Sequence, residues 1–233
     1  MVKLILRDKD IISGSRNLEE LHSIREYPVF MGCVEQNFES DLRFEQTWEI
    51  SKETGIIQLK KLIPLEILYC NHHNSGAIGS IWMEHHQRFS EFILKNNPKN
   101  VLEIGGAHGI LAKNCLSKID IPWTILEPNP HPVEGCKANF IKGFFDKNFK
   151  IDINVDTIIH SHLLEHIYNP LEFFKDLSRT KISTKLIFSL PNLHEMLIRK
   201  YTNCLNFEHT IFITEPLIEF LLSSNGFEII DKT

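Results

Sequence analysis

Paired cysteines are missing from this sequence. Its five, Cys33, Cys70, Cys115, Cys136 and Cys204, are odd in number and form no C-x-x-C, which argues against a disulfide framework and against a closed zinc site. They read as reduced thiols. No apolar run approaches the length that crosses a bilayer, and the first residues lack the basic-then-apolar pattern of a secretion signal. A cytoplasmic protein with no membrane partner is expected. Positive charge is scarce as well: 25 Lys and Arg against 30 Asp and Glu leave a formal charge of -5, no excess for gripping a phosphate backbone. Nucleic acid is therefore not expected as a partner. Repeats and low-complexity stretches are also lacking. With 42% hydrophobic residues in 233, the chain can pack one medium α/β domain plus a modest extension.

Residues 1 to 70 contain short β-type segments, Val2 to Leu6, Val29 to Met31, Thr47 to Ile50 and Ile56 to Leu59, separated by turn-formers and charges. They predict a small β-rich accessory unit. A short helix after Pro64 ends near Tyr69, and residues 71 to 98 form a polar, His-rich loop followed by a helix from Ser80 to Leu94, whose apolar residues recur at helical spacing and which Pro98 stops. From 99 to 233 strands and helices alternate. Strands are expected at Val101 to Ile104, Trp123 to Leu126, Phe140 to Lys142, Val155 to Ile159, Lys185 to Leu190 and Phe227 to Ile230, with helices through Leu116, from Leu171 to Leu177 and from Glu215 to Ser223. That order implies an α/β fold, a doubly wound and mainly parallel Rossmann-like sheet whose ligand sits at the carboxyl ends of the strands.

The glycine turn selects the ligand. Val101-Leu-Glu-Ile-Gly-Gly-Ala-His-Gly-Ile110 joins a strand to a helix, but the third glycine of a dinucleotide fingerprint would fall on Ile110. A carboxylate, Glu103, stands two residues before Gly105. It would repel a diphosphate and attract an ammonium or a sulfonium. S-adenosylmethionine carries both cations and no phosphate. Glu127 closes the next strand, where an acid can accept two hydrogen bonds from a ribose diol.

Together, Glu103 to Gly109, Glu127, the stretch Asp156 to His166 and Leu190-Pro-Asn192 make the chain resemble the class I S-adenosylmethionine-dependent methyltransferases. Thr54 to Leu59, Leu68-Tyr69, Asn74-Ser-Gly76, Glu84-His85 and Asn206-Phe-Glu-His209 narrow the likeness to sugar C-methyltransferases with an N-terminal zinc-binding unit. Two departures stand out. Ser51-Lys-Glu-Thr-Gly55 replaces the C-x-x-C of those enzymes, so the zinc is expected to be gone, and their further nucleotide-sugar domain has no counterpart. The resemblance implies that Glu103 and the backbone of Gly105, Ala107 and Gly109 hold the methionine moiety, Glu127 the ribose and Phe144 or Phe145 the adenine. Ser75, His160 and His162 join the donor side, with His162 also a possible base. It places His166, Glu208 and His209 at the acceptor, with Tyr69 and His73 as acceptor contacts; the family's tyrosine becomes Asn206.

Methyl transfer needs alignment and removal of a proton, and an imidazole oriented by a carboxylate can supply the second. Glu208-His209 is that pair. No metal is expected: His160 and His162 alternate on one strand face, but no third ligand follows at fixed spacing. The activity implied is methylation of a small or sugar-type acceptor, preferably at oxygen and including a phosphorylated precursor, in surface-polysaccharide biosynthesis. Rival readings are C-methylation of a nucleotide-linked keto sugar, a nicotinamide or flavin oxidoreductase, and a non-catalytic binding subunit. A seventh strand is not evident, so either it is missing from this sequence or the fifth lies at an edge that something else, such as a second copy in a homodimer, must cover.

Overall fold

The computed structural model describes residues 2–30, 37–70, 79–152, 154–181, 183–201 and 204–233. His73, Ser75, Cys33 and Met31 lie outside them. Two compact units interleave along the chain, one comprising Met1–Leu68, Leu164–Ser178 and Pro191–Thr233, the other Tyr69–Leu163 and Arg179–Leu190. The second half of the sequence is thus shared between them, whereas the sequence reading assigned 99 to 233 to a single domain.

The first unit is built on antiparallel strands β1 (Ile5–Leu6), β2 (Leu18–Pro28), β3 (Arg43–Ser51), β4 (Ile57–Leu59) and β5 (Lys61–Leu62), with the short helix α1 (Leu65–Leu68). β1 pairs with β5, and a four-stranded sheet runs in the order β11-β4-β3-β2, its last member β11 (Ile211–Phe212) coming from far along the chain. The expected strand at 29 to 31 ends before it begins: pairing stops at Pro28, and Val29 is a buried bend residue. β2 was not expected at all. It is an edge strand, mostly exposed, with register shifts between Glu20 and His22 and between Ile24 and Tyr27, and Glu26 at φ 50. A bulged, solvated edge shows no clean apolar alternation.

The second unit holds a five-stranded parallel sheet. Its strands β6 (Val101–Ile104), β7 (Trp123–Glu127), β8 (Asn139–Lys142), β9 (Thr157–Ser161) and β10 (Lys185–Ser189) lie in the order β10-β9-β6-β7-β8. Helices α2 (Ser80–Lys95) and α3 (Ile110–Leu116) pack on it through Phe89, Ile93, Leu111, Ala112 and Cys115, which meet Val101, Trp123, Ile125, Ile159 and Ile187 of the strands. Parallel strands buried on both faces read as continuous apolar runs, which is why this half was legible. Strand order reverses between β6 and β9, the switch point where open α/β sheets bind ligands.

The remaining helices α4 (Pro170–Leu177), α5 (Leu193–Ile198) and α6 (Glu215–Ser224) belong to the first unit. Asn169 caps α4 by accepting from Glu172 N, and Asn192 caps α5 by accepting from Glu195 N, both at 3.2 Å. The expected sixth strand is corrected: Phe227–Ile230 pairs with no strand among the described residues, and Ile230 is 74% exposed. Without a ladder, local β propensity does not hold a strand. No described helix is long and apolar enough to cross a membrane.

Candidate active site

In the second unit the carboxyl end of β6 runs straight into the glycine turn. Gly105 N donates to Leu126 O at 2.8 Å and Gly109 N to Gly106 O at 2.8 Å, so the turn is pinned to β7 and closed on itself. Gly109, at φ 71, opens α3, and a Cβ there would stand 2.7 Å from Cys136 Sγ and 2.9 Å from Phe140 Cζ. At Gly106 a Cβ would meet Glu103 Cδ at 2.8 Å. The turn lies directly on the acid.

Glu103 is consequently 2% exposed, and Trp123 Nε1 donates to its Oε2 at 2.8 Å. Burial, with a smaller push from Glu127, raises its carboxyl to about 7 against the pull of the Trp123 hydrogen bond. The fold seats this acid beneath the turn, where a cation overhead would favour its ionised form. Glu127 ends β7 and is only half-buried. Its Oε2 accepts from Ala107 N and its Oε1 from Asn129 N, each at 3.1 Å. The carboxylate is thereby fixed, and each oxygen retains a lone pair for a diol.

At the ends of β9 and β10, Ser161 and Ser189 share a hydroxyl hydrogen bond of 2.9 Å, and His85 Nε2 lies 2.9 Å from Ser161 Oγ. Burial, then the neighbouring His162 and His86, lower the His85 imidazole to about 4. His162 stands edge-on to Trp82 at 5.0 Å and to His85 at 4.9 Å between centroids. His160 and His162 do not share a strand face as expected: β9 stops at Ser161 and His162 adopts φ 48. His160 instead is fully buried and stacks on Phe188. Phe144 is an exposed ring with Tyr69 edge-on at 6.4 Å. The Trp82–His85–Ser161 group escaped sequence reasoning, because its members come from a helix and a strand end far apart in the chain.

Of the expected acid-base residues, His166, Glu208 and His209 gather in the first unit, while His162 belongs to the second. Glu165 and His166 end a short 3-10 helix, Leu164–His166, and Glu208 and His209 precede β11. His166 Nδ1 lies 3.9 Å from Glu208 Oε2, and the His166 and His209 rings meet edge-on at 4.9 Å. Glu165 and Glu208 are each 4% exposed. One ligand-type atom from each of Glu165, His166 and His209 falls within 4.8 Å of the others. His209 Nδ1 lies 3.1 Å from Cys204 O, and because a carbonyl only accepts, Nδ1 carries the proton and Nε2 the lone pair. Burial and His166 hold the His209 imidazole down at about 4, against the opposite pull of Glu165 and Glu208, so it is neutral at physiological pH.

What brings these segments together is a frame that sequence reasoning missed. Thr210 N donates to Glu165 O at 2.7 Å and Thr210 Oγ1 to Ile167 O at 3.0 Å. Buried Arg7 donates to Thr210 O and to Tyr168 O, both at 2.7 Å, and its burial lowers the guanidinium to about 10. Tyr168 Oη in turn donates to Ile63 O. Asn206, where the resembling enzymes have a tyrosine, is buried and accepts from His209 N at 2.6 Å.

A family model described as a methyltransferase domain matches residues 73–232. No curated protein matches the chain. Among solved structures, a SAM dependent methyltransferase from Archaeoglobus fulgidus is 21% identical, with a TM-score of 0.49 over 63% of this chain and 69% of that one. The plantazolicin methyltransferase BpumL, in complex with SAH, is 18% identical, with a TM-score of 0.45 over 60% and 61%. The S-adenosylmethionine-dependent methyltransferase SibL is 15% identical, with a TM-score of 0.52 over 65% and 51%. The chain thus spans about half the length of SibL and under two thirds of BpumL. At such identities the likeness to SibL speaks to the fold.

Proposed function

The chain belongs to the methyltransferase domain family, class I and S-adenosylmethionine-dependent, and on that premise we propose that it methylates an oxygen of a small or sugar-type acceptor. Surface-polysaccharide biosynthesis in the cytoplasm is the setting we infer, and a phosphorylated precursor is within its range. When bound, the donor supplies an electrophilic methyl group on a sulfonium. The observation that carries the donor side of the reading is Glu127 at the end of β7, clamped by Ala107 N and Asn129 N beside a glycine turn seated on Glu103. These residues fit a donor with a ribose diol and positive charge: Glu127 accepts from the diol, Glu103 adds negative potential, and Phe144 offers an exposed ring for the base. Gly105, Ala107 and Gly109 shape the backbone around the methionine end, with His162 and Ser75 assigned to the donor side by the resemblance.

On the acceptor side we assign proton handling to His166, Glu208 and His209, with Tyr69 and His73 as contacts. His209 is held as a neutral imidazole with its lone pair on Nε2, and Glu208 is the carboxylate beside His166. Asn206 supports oxygen over carbon as the methylated atom. Its side chain is spent on the His209 backbone and has no phenol to offer a carbanion-forming step. The likeness to sugar methyltransferases supports the acceptor class, and the Ser51 to Gly55 turn fits a zinc-less form of their N-terminal unit. Ser51 Oγ accepts from Glu53 N and Thr54 N, and Thr54 Oγ1 donates to Asp10. With β10 at the edge of the described sheet, pairing of two copies belongs to the same proposal.

The test is mass spectrometry of sugar-type acceptors incubated with enzyme and donor. A methyl-sized gain is expected, and Glu208→Gln should slow it while leaving donor binding intact. No gain on any hydroxyl-bearing acceptor, or a Glu208→Gln variant as fast as the parent, would refute the assignment.

A further inference from the structure

We infer that Glu165, His166 and His209 form a three-ligand site for a borderline divalent cation of the zinc type. The sequence offers no third ligand at regular spacing, since Glu165-His166 and His209 are 43 residues apart. The fold supplies it. Thr210 bonded to Glu165 O and to Ile167 O clamps the two segments, and Arg7 locks the clamp from beneath. The three ligand atoms then lie within 4.8 Å of one another. Ligand atoms around a tetrahedral zinc ion stand about 3.4 Å apart, so side-chain rotations of about 1 Å would complete the site.

The donor set narrows the ion. Two imidazoles and one carboxylate suit zinc or a neighbouring first-row dication and leave a position open for water or an acceptor oxygen. One outer contact of the kind that orients metal-bound imidazoles is already in place. His209 Nδ1 donates to Cys204 O, which fixes Nε2 as the ligating nitrogen; Glu208 Oε2 stands 3.9 Å from His166 Nδ1, near but beyond hydrogen-bond reach. For what the ion would do, the inference rests on the acceptor-side reading above, changed in one respect: with the ion bound, His166 and His209 hold the metal instead of a proton, and Glu208 is left to take it. Cation binding itself is a property of the cluster alone.

The test is titration of chelator-stripped, full-length protein with cobalt(II), followed by its visible d–d bands and by competition with zinc. One equivalent is expected to bind, and His166→Gln and His209→Gln should each weaken it by at least about tenfold. His85→Asn, outside the cluster, should bind like the parent. Circular dichroism checks the fold of each variant; if His209→Gln fails to fold, His166→Gln, whose side chain is partly exposed, carries the test. No bands at excess cobalt, or bands that survive His166→Gln undiminished, would overturn the site. S-adenosylhomocysteine titrated into the same sample separates the two readings: donor binding without cobalt sinks the metal site alone, and cobalt binding without donor binding sinks the methyltransferase site alone.

Discussion

Replacing Glu103 with Gln should make the protein more stable at alkaline pH, and the structure says by how much. The carboxyl is 2% exposed and burial raises it from 4.5 to about 7. Its folded form therefore binds a proton more tightly than its unfolded form, so stability is highest below the unfolded value and is lost as pH rises toward 7. At roughly 1.4 kcal/mol per unit, the penalty is on the order of 3 kcal/mol once the acid is fully ionised. Gln carries no charge and keeps an oxygen for Trp123 Nε1. Thermal unfolding followed from about pH 5 to about pH 8 should show parent and Glu103→Gln close at the acid end. At the alkaline end the variant should lead by about 6 to 12 °C, taking roughly 2–4 °C per kcal/mol for a chain of this size. Parallel curves across that range, or a parent that gains stability with rising pH, would refute the burial reasoning.

Two other substitutions probe the turns. Asp10→Ala removes the acceptor of Ile12 N, Ser13 N and Thr54 Oγ1, and should cost about 1–3 kcal/mol in denaturant titration. Although burial raises the Asp10 carboxyl, bonds from Ser51, Thr54, Ile12 and Ser13 hold it below its ordinary value, so the parent should lose this contribution as pH falls through that lowered value and the variant should not. Gly109→Ala forces a side chain into φ 71 and against Cys136 and Phe140. About 2 kcal/mol or more of destabilisation is expected in the same titration, and a neutral result would mean that the turn is looser than described.

Legibility followed burial. β6, β7 and β9 are short apolar runs enclosed on both faces, and the turn after β6 carries glycines where Cβ atoms would collide, so strand, turn and helix could be read from the chain. β2 could not, because its charged residues line a bulged edge. Phe227–Ile230 has strand composition without a partner, and composition alone does not supply a ladder. At the site, glycines and acids of one turn are local and were visible. The gathering of Glu165, His166 and His209 depends on Arg7 bonding to Thr210, 203 residues away, and no local pattern encodes such a bond. The seating of Glu103 beneath Gly106 was equally hidden, since a sequence shows an acid beside a turn but not which side of the turn it takes.

The turn after β6 and Glu127 are expected to take a positively charged donor with a ribose diol and to refuse a dinucleotide. Calorimetric titration of the parent and of Glu127→Ala with S-adenosylmethionine and with NAD tests it directly. S-adenosylmethionine should bind the parent and bind Glu127→Ala about tenfold or more weakly, with no heat from NAD in either; tight uptake of NAD, or full donor affinity without Glu127, would contradict it.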